Sequence, residues 1–450
     1  MDKGNKAFGR SNWFLLVLFG MIGQIAWSVE NMYFNLFVFE KVKSSLEAIT
    51  LMVQLSGIVA TLTTLVAGTL SDKLGNRRSF ISFGYTVWGV TVALFGFISP
   101  ELMAKLFSVG LDKAVSIALV LVIVGDCVMT LFGSTANDAA FNAWVTDNTT
   151  SAIRGKVEGV LSILPLLAML VVAGGFGMLV ELMEYKMLFL ALGIVITASG
   201  ILGIFLFKDK PELRKSGSMK DIFYGFRPSV IRSNAPLYIS LAIVLVYGIA
   251  CQIFMPYMII YMKTYLGFSV MEYSVVFGLA IALGAALNLY LTRLSDRLDK
   301  VKLIYVAAAV MSAGLFGMYF SKSAAKLASL VLFGVFGFVM ITGYIFISAL
   351  VGSLVRDHTP EGEAGKLQGV RMVFSVLIPM LIGPMIGNAI NAARAVPLPE
   401  GTPDADTMTT LYIPAPEIFL AAALVTLLIA ALVPPLSRFS RKKADTSELK

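Results

Sequence analysis

Three acidic residues lie inside long apolar stretches of this 450-residue sequence: Glu30, Asp126 and Asp138. An acid at the centre of a bilayer costs about 2.5–3.5 kcal/mol to insert, so it usually faces a cavity or a partner. A carboxyl group in a partly dehydrated cavity can take up a proton or, when ionised, hold a cation. We therefore predict that these residues couple an ion, either a proton or sodium. No comparable acid lies inside the apolar stretches of the second half.

Polar residues surround these acids at helical spacing. At about 100° per residue, the first apolar stretch carries a stripe of Gln24, Trp27, Asn31 and Asn35, with Glu30 at its edge. The fourth carries a stripe of Asp126, Thr130, Gly133 and Asn137, with Asp138 and Asn142 beside it. A helix facing only lipid would lack such stripes. The predicted ligands of a small solute are Gln24, Trp27, Glu30, Asn31, Asp138 and Asn142.

Structural roles are the alternative for each of the three acids. Asp126 would then hydrogen-bond a neighbouring helix, and Glu30 would be solvated near the outer interface. Asp138 would belong to a gate on the cytoplasmic side.

The composition places the chain in a membrane. Hydrophobic residues make up 57% and charged residues 14%, whereas soluble domains have about 25% charged residues. A helix needs about 20 apolar residues to cross a bilayer. We predict twelve such helices, roughly 13–38, 45–70, 80–98, 114–145, 157–180, 187–207, 237–262, 270–291, 303–320, 327–355, 367–390 and 415–436.

One segment of the chain is repeated. The stretch AWVTDNTTSAIRGKVEGV begins at Ala143, and SLVRDHTPEGEAGKLQGV begins at Ser353, so the offset is 210 residues. A shorter repeat, SDKL from Ser71 and SDRL from Ser295, has an offset of 224. The repeats follow equivalent helices in two halves. We predict an N-terminal bundle at 1–207, a cytoplasmic linker at 208–236 and a C-terminal bundle at 237–450, with about 14 extra residues after the third helix.

The basic residues predict the orientation. When the loops are assigned alternately to two sides, 27 of the 36 Lys and Arg residues fall on the side of the N-terminus and 9 on the other. Cytoplasmic loops collect Lys and Arg. We therefore predict a multi-pass protein of the plasma membrane with both termini in the cytoplasm. The basic charges are spread over seven short segments, which argues against nucleic-acid binding.

The stretch GTLSDKLGNRR, from Gly68 to Arg78, resembles the loop signature between helices 2 and 3 of the major facilitator superfamily, Gly-x-x-x-Asp-x-x-Gly-x-Arg-Arg. The resemblance implies an all-α membrane fold with twelve helices in two pseudo-symmetric six-helix bundles. In this signature Gly68 allows close helix packing and Gly75 a tight turn. Asp72 caps a helix or pairs with a base, and Arg77 and Arg78 hold the loop at the cytoplasmic surface.

The duplicated loops are predicted to form a gate. Sites of transporters built from parallel repeats lie near the midplane between the halves, so cytoplasmic loops can close one side. The predicted gate residues are Gly68, Asp72, Gly75, Arg77, Arg78, Asp147, Arg154, Asp296 and Asp357. The second copy keeps Asp296 but has Thr292 and Asp299 in place of the glycines.

A narrower resemblance covers the fourth helix, TANDAAFNAWVTDNTTSAIRGK. It is similar to the glycoside–pentoside–hexuronide cation symporters, such as melibiose permease. The family's Asp, which serves both sugar and cation, matches Asp138, and its aromatic residue matches Phe141. The family's helix 1 Asp has no match, since Ile25 falls near that position, and its helix 2 carboxylate pair is absent.

These observations predict a secondary transporter, not an enzyme. We expect it to move a small polar solute, a sugar or glycoside, together with a proton or cation. An exporter of drugs or metabolites is the alternative, and a polytopic membrane enzyme is disfavoured by the single histidine, His358. We expect no cofactor and no metal site, and a monomer in the lipid bilayer.

Overall fold

The computed structural model describes residues 8–149, 151–209, 219–295, 298–360, 364–397 and 412–437. Within these ranges the side chains of 151, 152, 154, 155, 158, 219–222, 292–295 and 364–366 are not described. The described chain is almost entirely helical, as continuous apolar stretches predict. Its strands are β1 (Val396–Pro397) and β2 (Tyr412–Ile413), which pair antiparallel with Val396 opposite Ile413.

The first half contains seven helices in the described residues: α1 Arg10–Val42, α2 Leu46–Leu74, α3 Arg77–Phe95, α4 Pro100–Phe107, α5 Leu111–Asn148, α6 Ser151–Val171 and α7 Gly177–Leu206. A 3-10 helix, Met219–Phe226, follows. The second half contains eight in its described part: α8 Pro228–Ser233, α9 Ala235–Tyr265, α10 Val270–Ser295, α11 Lys300–Tyr319, α12 Lys326–His358, α13 Ala364–Met372, α14 Ile378–Arg394 and α15 Glu417–Ser437.

The helices account for twelve membrane crossings. Ten helical stretches of the described chain are long and apolar enough to cross, and α3 with α4, bent by 90°, makes an eleventh. One of the ten, Gly159–Leu206, has 48 residues, or about 72 Å of helix, more than twice the thickness of the hydrocarbon core. It breaks at Glu184, where φ is 61° and ψ is 161°. The stretch therefore provides two crossings, as the predicted helices at 157–180 and 187–207 require.

Several helices contain a π-helical turn, in which the backbone hydrogen bonds skip one additional residue. Such turns occur within or between helices at Glu30–Phe34, Val38–Val42, Ser134–Phe141, Val172–Phe176, Tyr261–Tyr265 and Val373–Leu377. π turns are frequently found at functional sites because they reorient side chains within a helix. Two of them include the predicted site residues Glu30 and Asp138.

The chain folds into two compact units. Unit 1 comprises Met1–Ser44 and Ile58–Met219, and unit 2 comprises Ser45–Gly57 and Lys220–Lys450. The first part of α2 thus belongs to unit 2, where the Thr50 hydroxyl lies 2.6 Å from the Tyr257 hydroxyl. In the same unit, Gln54 donates to the Leu381 carbonyl at 2.9 Å.

Glycines allow the closest helix packing within each unit. In unit 1, α3 lies against α7, and a Cβ atom on Gly89 would overlap the backbone of Thr197. In unit 2, a Cβ atom on Gly314 of α11 would overlap the backbone of Met340 on α12. Small residues let helices approach where lipid provides no hydrophobic driving force between them.

Candidate functional site

The first acidic cluster of unit 1 consists of Glu30, Asp126 and Thr130, and we call it the Glu30 cluster. Thr130 Oγ1 donates a hydrogen bond of 3.2 Å to Glu30 Oε1. Glu30 is only 8% exposed and Asp126 only 1%. The thiol of Cys127 lies within electrostatic reach of both carboxyl groups. Two carboxyl groups therefore share one buried neighbourhood on α1 and α5, where a proton or cation can relieve their mutual repulsion.

The second cluster is centred on Asp138, within the π turn of α5, and we call it the Asp138 cluster. Asp138 is half-buried. Its Oδ2 accepts a hydrogen bond from Ser134 at 3.0 Å, and its Oδ1 accepts one from the Asn137 amide at 3.2 Å. The single hydroxyl proton of Tyr85 on α3 is shared between Asn137 Oδ1 at 3.0 Å and the Phe19 carbonyl at 2.8 Å. These bonds fix the orientation of the carboxyl group against α1 and α3.

An aromatic pair lies between the two clusters. The rings of Trp27 and Trp88 have centroids 4.9 Å apart. A Cβ atom on Gly133 would come within 2.9 Å of Trp88 and 3.0 Å of Trp27, so the glycine makes room for both rings. The Trp27 indole lies close enough to Asp138 for electrostatic attraction. The Trp88 indole Nε1 has no hydrogen-bond partner among the described residues. Buried N–H groups without a partner are uncommon, and here the Trp88 indole offers one donor.

The other predicted solute ligands lie on the same helices. Gln24 is half-buried, whereas Asn31 and Asn142 are exposed. The Asn31 amide donates to the Trp27 carbonyl at 2.7 Å, and the Asn142 amide donates to the Asp138 carbonyl at 3.1 Å. The amide N–H group of each of these two side chains therefore donates to a backbone carbonyl of its own helix. The amide oxygen is then the atom that is better placed to bind a solute.

A third cluster lies at the junction of α2 and α3 and contains Ser71, Asp72, Arg77 and Asp147; we call it the Arg77 cluster. The Arg77 guanidinium donates to Asp147 Oδ2 at 2.9 Å, to Ser71 Oγ at 2.6 Å, and to Asp72 Oδ1. Arg77 is only 5% exposed, and both carboxylates are partly exposed. One arginine therefore joins the two predicted gate aspartates of unit 1.

The turn that carries this cluster has two further constraints. Gly75 has a φ of 64°, a left-handed conformation that side chains disfavour. Asp209 Oδ1 accepts from the backbone N–H groups of Arg77 at 2.9 Å and Arg78 at 3.0 Å. The carboxylate of Asp209 thereby caps the first turn of α3, where the helix dipole favours negative charge.

The structure adds two details to the loop signature. The Arg77 side chain is buried in ion pairs, whereas the Arg78 side chain is exposed. A Cβ atom on Gly68 would meet only the Ala139 Cβ, at 3.9 Å, which is an ordinary contact. The packing around Gly68 therefore does not require a glycine.

The remaining gate residues are only partly described. Asp296 and the side chain of Arg154 lie outside the described residues. Asp357 of unit 2 is exposed, and Ser353 Oγ lies 3.5 Å from its Oδ2. Asp299 caps α11 by accepting from the N–H of Val301 at 3.0 Å. The described residues contain no group of three or more His, Cys, Asp and Glu side chains that could hold a metal ion.

Sequence reasoning did not assign Tyr85, Ser134 and Asp209 to any site. Ser134 precedes Asp138 by four residues, one helical turn, so its proximity was available from the spacing. Tyr85 and Trp88 are three residues apart on α3 and share a face for the same reason. Asp209 carried no comparable signal, because its contact with α3 spans 132 residues.

Comparison with known proteins assigns most of the chain to one family. A family model described as Major Facilitator Superfamily matches residues 13–384. No curated protein sequence matches the chain. The structure of the nucleoside transporter NupG aligns with a TM-score of 0.67 at 13% identity, covering 94% of this chain and 99% of that chain.

Two other solved structures have the same fold. A bacterial homologue of the human lysosomal transporter Spinster, inward-facing and occupied, has a TM-score of 0.67 at 13% identity and covers 97% of this chain and 98% of that chain. A bacterial homologue of the iron transporter ferroportin, inward-facing, has a TM-score of 0.64 at 14% identity and covers 96% and 100%. The predicted twelve-helix fold is thereby confirmed.

Proposed function

Because the chain belongs to the major facilitator superfamily and is a multi-pass membrane transporter rather than an enzyme, we propose that it moves a small polar solute by ion-coupled secondary transport. The observation that carries this proposal is that carboxyl groups lie on α5 before and after Gly133, the residue against which the Trp27–Trp88 pair packs. Carboxyl groups provide sites for a proton or sodium. Aromatic faces and indole N–H groups provide contacts for a hydroxylated ring.

The proposed roles follow from the local environments. Glu30 and Asp126 are the more buried acids and hold the coupling ion. Asp138 is half-buried and bound by two uncharged donors, so it can accept a proton or cation and also a solute hydroxyl. Coupling requires that ion and solute stabilise the same state, so that each raises the affinity for the other.

The solute class we propose is a sugar or glycoside. The side chains around Asp138 are amides and hydroxyls, which match hydroxyl groups of a solute better than an apolar surface. The solutes named for the similar structures, nucleosides and iron among them, differ widely. The shared fold therefore does not decide the solute, and the polar residues of this chain support the choice.

An exporter of drugs or metabolites is the second candidate. The Trp27–Trp88 pair favours it, because the faces of indole rings also bind flat apolar compounds. The two candidates differ in whether the solute needs the Asp138 cluster.

Thermal unfolding of the purified chain tests the proposal. A ligand present at 100 times its Kd stabilises the folded state by about 2.7 kcal/mol, so sugars, glycosides and lipophilic drugs can be compared at several pH values, with and without sodium. We expect a sugar or glycoside to raise the melting temperature of the wild type and of Asp112→Asn, an exposed control on α5, but not of Asp138→Asn. Stabilisation by lipophilic drugs alone would support the exporter instead.

A further inference from the structure

The segment that precedes α9 combines exposed aromatic and basic side chains. It comprises the 3-10 helix Met219–Phe226 and α8. Its side chains are described from Phe223 onwards, and residues 223–233 read FYGFRPSVIRS, with two arginines and no carboxylate. We call this stretch the linker surface. It carries net positive charge, whereas the function proposed above makes no use of it.

The inner side of the linker surface is held against the ends of two membrane-crossing helices. Tyr238, close to the start of α9, donates a hydrogen bond to the Gly225 carbonyl. A Cβ atom on Gly225 would overlap Val370 and come within 3.3 Å of Leu367, both at the start of the crossing Leu367–Arg394. Two crossings begin at this position, so the linker surface lies at the boundary between the hydrocarbon core and the headgroups.

The side chains on the outer side of the linker surface are exposed. Phe223 is 70% exposed and Phe226 41%, and Arg227 and Arg232 are exposed as well. The Arg227 guanidinium lies 5.5 Å from the centroid of the Tyr224 ring, a cation–π contact that orients it. Aromatic side chains that can enter the interface, beside arginines that stay at headgroup level, are typical of peripheral membrane-binding segments.

We propose that the linker surface binds the headgroups of anionic phospholipids. Arg227 and Arg232 pair with lipid phosphates, and Phe223 and Phe226 insert beside the acyl chains. The partner is a lipid rather than a soluble anion because the exposed arginines and aromatic rings lie in one short segment that is held against the start of two membrane crossings. Juxtamembrane basic residues are attracted to the anionic cytoplasmic leaflet. The segment that joins the two predicted bundles is thereby anchored to the membrane.

A fluorescent probe at position 223 tests this binding. The chain has two cysteines, Cys127 and Cys251, so Phe223→Cys in a background with both replaced by alanine accepts a single bimane label. The full chain is placed in phosphatidylcholine nanodiscs with increasing phosphatidylglycerol, and the label is quenched by spin-labelled lipid. We expect quenching to increase with the phosphatidylglycerol fraction. Arg227→Gln with Arg232→Gln should weaken phosphatidylglycerol binding about 30-fold, so that quenching no longer increases over the same range of fractions.

A control variant loses the same number of positive charges at a site outside the linker surface. Lys105→Gln with Lys113→Gln removes two exposed cations of unit 1 and should leave the quenching curve unchanged. Equal quenching in pure phosphatidylcholine would overturn the proposal. The absence of quenching at any lipid composition would overturn it too, because the linker surface would then face water or a protein. Native mass spectrometry of the cysteine-containing chain provides a second measurement, in which only the arginine variant should lose affinity for phosphatidylglycerol.

Discussion

Thr130 Oγ1 donates a hydrogen bond of 3.2 Å to Glu30 Oε1, joining α5 to α1 across 100 residues of sequence. Both side chains are buried, and Asp126 lies one turn before Thr130 on α5. A buried carboxyl group that has lost its water needs such donors when it is ionised. The bond therefore fixes the position of Glu30 beside the second acid of the cluster and makes the pair a testable ion site.

Glu30→Gln should abolish uphill accumulation of solute while leaving the melting temperature nearly unchanged, because the amide oxygen can still accept from Thr130. The measurement is solute uptake into proteoliposomes with an imposed proton or sodium gradient. Thr130→Val removes the donor from a buried acceptor, which costs about 1–3 kcal/mol of stability. Thr130→Ser restores the hydroxyl and should behave like the wild type. Gradient-driven uptake by Glu30→Gln at the wild-type rate would exclude Glu30 from coupling.

Asp138→Asn should also abolish accumulation driven by an ion gradient. The substitution keeps the size of the side chain and an oxygen that accepts from Asn137, but it removes the charge. If Asp138 only couples the ion, exchange of solute down its own gradient survives; if it also binds the solute, exchange fails too. Asp138→Glu should retain partial activity in either case. Full accumulation by Asp138→Asn would leave Glu30 and Asp126 as the coupling residues.

Arg77→Gln should destabilise the chain more than any other single change in the loop signature. Breaking a buried ion pair costs roughly 3–5 kcal/mol, and we expect the low end of this range because Asp72 and Asp147 are partly exposed. Thermal unfolding measures the difference. Arg78→Gln provides the matched control, since Arg78 is the exposed neighbour. A similar loss of stability in both variants would show that the Arg77 cluster is not the cause.

Asp72→Asn should slow transport and change the resting conformation while leaving solute affinity within a few-fold. The substitution weakens one of the two ion pairs of Arg77 and keeps the other with Asp147. Transport rates and solute binding, measured on the same preparation, separate the two effects. A collapse of affinity with an unchanged conformational equilibrium would assign Asp72 to the solute site.

Reporter fusions should place both termini in the cytoplasm. We expect cytoplasmic signals from fusions at Lys215 and Lys442 and an extracellular signal at Thr402, positions that lie outside the described residues. The reason is the unequal distribution of Lys and Arg between the two sides, 27 against 9 of the 36. An extracellular signal at Lys215 would contradict the division into six and six crossings.

The sequence alone determined the membrane fold and the polar stripe of α5. Asp126, Thr130, Gly133 and Asn137 were predicted to share a face, and all four are buried. Periodicity of this kind is a local property, because residues three or four apart lie on the same side of any helix. Apolar length determines membrane crossing in the same local way, so the twelve crossings followed from the sequence.

Only the tertiary structure decided which partners meet. The sequence predicted that Arg77 holds its loop at the cytoplasmic surface, but it did not show that packing buries the side chain between Asp72 and Asp147, 5 and 70 residues away. Likewise, Tyr85 reaches Asn137 across 52 residues and Asp209 caps α3 across 132. Such contacts depend on how helices pack side by side, which no local spacing encodes. The π turns add a second reason, since one additional residue in a turn changes the directions of side chains along the helix, and Asp138 lies within such a turn.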